Sequence, residues 1–110
     1  MIALAGLLVG IIAGLILEPS VPVWFQPYLP VAIIAALDAV VGASRAVLEG
    51  MFRERVFVIS FLSNVLVAAL IVWIGDLLGV GSQMSTGVIV VLTMRIFANT
   101  AAIRRHLLKA

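Results

Sequence analysis

The stretch VFVISFLSNVLVAALIVWIGDLL, residues 56–78, carries no charge before Asp76. As a helix it is long enough to cross the roughly 30 Å hydrocarbon core of a bilayer. Backbone N–H and C=O groups in hydrocarbon must find partners inside the protein, and a helix satisfies them within one segment. The rest of the chain has the same character, with 65% hydrophobic and 11% charged residues among 110. A soluble domain of this size leaves too much surface in water to hide that apolar content. Lipid is therefore the expected solvent, and residues 1–110 are expected to form a single transmembrane domain.

Three further segments join the first. MIALAGLLVGIIAGLIL opens the chain and has neither a basic leader nor a small-x-small cleavage site, so a retained anchor is expected. EPSVPVWFQPYLP, residues 18–30, holds all four prolines and interrupts any helix. GVGSQMST, residues 79–86, reads as a polar turn. The spans are placed at about 1–17, 31–52, 56–78 and 87–103, followed by a basic tail over 104–110. This predicts an all-α integral membrane protein, a bundle of about four transmembrane helices. The alternative is three spans plus one re-entrant or interfacial helix, because segment 31–52 opens with a short apolar run, VAIIAAL, and then acquires Asp38, Arg45 and Glu49. Trp24, Tyr28, Phe52, Phe57 and Trp73 read as interface aromatics.

Charge sets the orientation. Arg53 and Arg55 lie between the second and third segments, and Arg104, Arg105 and Lys109 follow the fourth. The other two loops contain no Lys or Arg, and their acids are Glu18 and Asp76. The positive-inside rule then puts both termini in the cytoplasm. The net charge of +2 reflects scarce acids more than a basic surface, so nucleic acid is not an expected partner. With no cysteine and one histidine, a metal site has no support. No phosphate loop, nucleophile motif or dinucleotide fingerprint is present, so neither enzyme activity nor a cofactor is expected.

The charges inside the spans carry the most information. At about 100° per residue, Asp38, Arg45 and Glu49 fall within roughly 20° of one line along the second helix. Arg45 and Glu49 are an i, i+4 pair, and Arg95 and Asn99 repeat that spacing on the fourth helix. Counted from Pro30 and Gly87, Asp38 and Arg95 lie at similar depth on helices running the same way. An unpaired charge at mid-span costs at least about 2.5–3.5 kcal/mol, which favours an Asp38–Arg95 ion pair within one chain or between subunits. Such a pair either fixes helix geometry or serves as a proton or ion relay or an anion site at Arg95, and the absence of a second acid at that depth favours the first. Asn64, beside Ser60 and Ser63, is expected to bond another helix, completing a buried polar network. Gly6, Gly10 and Gly14 form a G-x-x-x-G-x-x-x-G row that permits close backbone approach, to a second copy or to another helix of the same chain.

The blocks AALDAVVGASRAVLEGMF, RVFVISFLSNVLVAALIVWIGDLLGV and MRIFANTAAIRRHLL together resemble the small basic protein family of Gram-positive bacteria, formerly a domain of unknown function. The resemblance covers nearly the whole chain and falls on Asp38, Arg45, Glu49, Gly50, Asn64, Arg95, Asn99, Arg104 and Arg105. It implies an integral plasma-membrane protein, often encoded beside cell-division genes and a companion family with a single membrane anchor, and it supplies no catalytic residues. Two functions follow as expectations. One is a non-enzymatic assembly or adaptor component, self-associating or bound to other membrane proteins. The other is a small transporter or channel subunit; length and span number resemble the small multidrug resistance transporters, but the first span has no acid before Glu18.

Overall fold

A computed structural model describes residues 1–17, 20 and 22–109. Glu18, expected as an outer-loop acid, and the terminal Ala110 lie outside the described residues. The described residues form four helices and no strand: α1 (Ile2–Leu17), α2 (Leu29–Leu48), α3 (Glu54–Leu77) and α4 (Gly81–Leu108). A single 3-10 turn, Gln26–Tyr28, leads into α2.

Local chemistry explains the boundaries. Pro30 sits in the first turn of α2, where its missing N–H leaves no intrahelical bond unmade. Gly50 ends that helix with φ 72°, a left-handed conformation that strains any residue with a Cβ. The Met51 N–H then donates back to the Ala46 carbonyl at 2.9 Å. Gly79, φ 79°, ends α3 in the same way, with the Val80 N–H donating to the Gly75 carbonyl at 2.8 Å. The α3–α4 corner is tight. A Cβ on Gly81 would collide with the Asp76 carboxylate, and one on Gly75 would fall 2.5 Å from Met84 Cγ.

These boundaries correct three expectations. The second helix stops at Leu48 instead of residue 52, because Gly50 closes it. GVGSQMST is mostly helix: α3 ends at Leu77, and after Gly79 and Val80 α4 starts at Gly81, with Thr86 Oγ1 donating to the Ser82 carbonyl one turn back. The basic tail is also helical, continuing α4 to Leu108.

Gln26–Leu48, Glu54–Leu77 and Gly81–Leu108 are each long and apolar enough to cross a membrane. The short element is α1, whose 16 residues span about 24 Å at 1.5 Å per residue. By length and composition the charged second segment, expected to be the doubtful span, qualifies, and α1 is the helix that falls short. On α2, Asp38 and Arg45 meet Arg95 and Asn99 of α4.

The main contact is α2 against α4, with α3 against α4 next and α1 lying more lightly on α2 and α3. A dry core of Val31, Ala68 and Val72, walled by Tyr28, Val88 and Ile89, closes one end of the bundle. Contacts between Asp38 and Arg95 and between Arg45 and Asn99 show that α2 and α4 run in the same direction. The Met1 amino group and the Ala3 N–H both meet the Glu54 carboxylate, so α1 starts beside the α2–α3 connection. Arg53, Arg55, Arg104, Arg105 and Lys109 consequently share one end of the bundle, and all five are exposed. Asp76 and the α3–α4 corner occupy the other end, beside Pro27.

Candidate functional site

Asp38 stands near the middle of α2 with 4% of its side chain exposed. Arg95 Nη2 approaches its Oδ2 at 3.4 Å from the middle of α4. That separation is long beside the 2.7–2.9 Å of a strong charge-assisted hydrogen bond. Asp38 Oδ1 is buried and, among the described residues, has no hydrogen-bond partner. The carboxylate is thus held by one long contact on one oxygen.

The second contact lies nearer the basic end. Arg45 donates from Nε to Glu49 Oε1 at 2.8 Å and from Nη1 to Asn99 Oδ1 at 3.1 Å. A Cβ on Gly42 would sit 3.6 Å from Asn99 Nδ2, an ordinary van der Waals contact, so α2 and α4 pack closely at this level. The polar line on α2 and the polar pair on α4 therefore face each other at two levels. The depth agreement does not come from the boundaries assumed in the sequence, since α4 starts at Gly81 and Arg95 is well over three turns along it. The additional turns of α4 stand at the end remote from the basic residues, which leaves the pairing level intact.

The expected buried network needs correction in its extent. Asp38 alone is buried; Arg45, Asn64 and Asn99 are half-buried, and Glu49 and Arg95 are exposed. Two separate groups result, Asp38–Arg95 and Glu49–Arg45–Asn99. Asn64 belongs to neither; among the described residues its side chain lines a cavity and bonds no other helix. The physical reason is the thinness of the bundle. An open groove between α3 and α4 reaches Arg95, and 51% of its side chain remains uncovered.

That cavity, about 190 Å³, lies between α2 and α3 and was not foreseen. Its α2 wall is the small-residue series Ala39, Gly42, Ala43 and Ala46, facing Ser60 and Asn64 on α3. Asp38 and Arg95 form its inner end, and Met51, Phe52 and Arg53 its mouth at the basic end. Phe52 and Phe57, read from sequence as interface aromatics, line this cleft, with ring centroids 5.8 Å apart. The spacing of small residues around Asp38 was the available signal. A second, apolar groove of about 440 Å³ runs between α3 and α4 from Asn64 and Arg95 toward Met84.

Among the described residues, the glycine row on α1 faces open space. A Cβ on Gly6, Gly10 or Gly14 would find no atom within 4 Å. Of the two contacts considered for this row, packing against another helix of the same chain is not the one observed.

Known proteins supply a family. The family model described as a protein of unknown function (DUF1290) matches residues 21–108. An uncharacterized protein of Mycobacterium tuberculosis is 62% identical over 110 residues, covering 100% of this chain and 91% of its own. A Mycobacterium bovis protein matches to the same degree. A Bacillus subtilis protein named small basic protein is 39% identical over 103 residues, 94% of this chain and 84% of its own. No solved structure matches. With the family model spanning most of the chain and these relatives aligned over nearly all of it, the protein belongs to the DUF1290 family, that of the small basic proteins.

Proposed function

We propose that this protein is a non-enzymatic, multi-pass component of the plasma membrane, with both termini cytoplasmic, that works as an assembly or adaptor part of the division or envelope machinery. One observation carries the reading. A guanidinium in the middle of a membrane-length helix is half uncovered beside the open α3–α4 groove. Lipid is a poor neighbour for it, at a cost of at least about 2.5–3.5 kcal/mol for an exposed mid-span charge. A protein surface, either a second copy or another membrane protein, completes the site. The open glycine row on α1 offers a further face where backbones can approach closely. The orientation follows from the five basic residues gathered at one end, and the link to division or envelope machinery rests on the family resemblance.

Extraction in a mild detergent followed by native mass measurement tests this reading. The expected result is a complex heavier than the 11.7 kDa chain, containing further copies or defined membrane proteins. A chain recovered alone, in detergents that preserve known membrane complexes from the same cells, would refute it. A transporter or channel subunit is the second reading, favoured by the cleft that ends at Asp38.

A further inference from the structure

We propose that Asp38 is a proton-binding site served by water through the cleft from the basic end of the bundle. The inference goes beyond the assembly reading and does not depend on it. Its starting point is the incomplete coordination of Asp38, whose Oδ1 is buried, unpartnered among the described residues and at the inner end of the cleft. An ionised carboxylate offers about four acceptor positions, and here a single contact at 3.4 Å occupies one. Leaving a buried polar atom without a partner is costly, and water or a proton are the occupants small enough to satisfy it without altering helix packing.

The cleft supplies the route. Its volume of about 190 Å³ is more than ten times what a single water requires. Ser60 and Asn64 give waters polar footholds along an otherwise small-residue and aromatic wall. The mouth lies at Arg53, among the exposed basic residues. Beyond Asp38, toward the opposite end, the bundle closes on the packed core of Val31, Ala68 and Val72. The polar approach to Asp38 is therefore the cleft from the basic end; the groove between α3 and α4 that also reaches Arg95 is apolar.

The charged surroundings of Asp38 are few. Helix α4 presents Arg95, α3 presents no titratable group at the cleft, and α1 contains none along its length. On α2 itself Arg45 and Glu49 are engaged with each other and with Asn99, and Arg53 stands at the mouth. Uptake moves one proton from water on the basic side to Asp38 Oδ1, giving a neutral carboxyl. The Asp38–Arg95 pair then changes from zero to +1, and Arg95 loses its counter-charge. Whatever protein surface meets Arg95 is thereby exposed to the proton activity of the basic-side solution.

Two measurements on the full chain in bilayer nanodiscs test the proposal. Aspartate occurs only at positions 38 and 76, so ¹³C-carboxyl aspartate in an Asp76→Asn chain makes Asp38 the one labelled side chain. Isotope-edited infrared spectra, recorded as the pH is stepped from alkaline to acid, should show one labelled carboxylate band converting to a protonated-carboxyl band. The chain has no cysteine, so single cysteines report water access cleanly. Ala39→Cys and Ala46→Cys, in the cleft, should react with an impermeant charged thiol reagent at least tenfold faster than Leu37→Cys, which is exposed outside it. A labelled band that never changes with pH overturns the proton site, and cleft cysteines no faster than Leu37→Cys overturn the water route. Neither result bears on whether the chain associates with other proteins.

Discussion

Asp38 and Arg95 are the residues on which the bundle's geometry turns. A carboxylate and a guanidinium at one depth on parallel helices fix the register of α2 against α4, the largest contact in the molecule. Removing one partner of such a pair leaves the other uncompensated and costs roughly 3–5 kcal/mol, whereas removing both can be nearly neutral. Asp38→Asn and Arg95→Gln are each expected to lower the amount of folded protein in the membrane. The double variant is expected to recover much of it, measured by in-gel fluorescence and thermal aggregation of the detergent extract. Additive losses would mean that the two residues do not share an interaction. The pair was legible in the sequence because an unpaired intramembrane charge is expensive and only one base lay at matching depth. Its half-open state was not, because the exposure of Arg95 depends on the groove between α3 and α4, and no local pattern encodes that. For the same reason Asn64, which by composition resembles a helix-bridging amide, faces a cavity.

At the level of helices, the glycines divide into two kinds. Gly75 and Gly81 are enclosed at the α3–α4 corner, where an added Cβ would collide with Met84 and Asp76. Gly6, Gly10 and Gly14 face open space. Gly75→Leu is therefore expected to reduce the folded fraction severalfold, because both partners at the corner must shift. Gly10→Leu is expected to leave insertion and folding intact while abolishing association through α1, since a large side chain prevents backbone approach. Native mass measurement on the two variants separates these effects; an unchanged oligomer in Gly10→Leu would leave the row without a role in association. Helix positions were readable from apolar runs and proline density, but helix ends were less so. GVGSQMST has the composition of a turn, yet Gly79 with its positive φ completes the reversal so quickly that Ser82 to Thr86 fall inside the next helix. Composition marks where a chain can turn, and the Schellman geometry at Gly79 decides how little of it does.

The whole molecule measures 45 Å along its long axis, close to a bilayer with its headgroup regions, and most of its large apolar side chains face outward. Arg53, Arg55, Arg104, Arg105 and Lys109 lie at one end, and that asymmetry predicts the orientation. Cysteines at Ser20 and Ser82 are expected to react with an impermeant thiol reagent in intact cells, and one at Ala110 only after permeabilisation. Labelling at Ala110 alone would invert the arrangement. The proposed function requires that a bundle this thin, with a guanidinium half uncovered at mid-span, be completed by another protein. A photo-crosslinking residue placed at Val91, exposed on the α4 wall of the groove next to Arg95, tests it most directly in living cells. The account predicts a discrete protein adduct from Val91 and none from the same residue at Leu62, which is exposed on α3 and lines no part of the groove. Lipid adducts alone at both positions would contradict it.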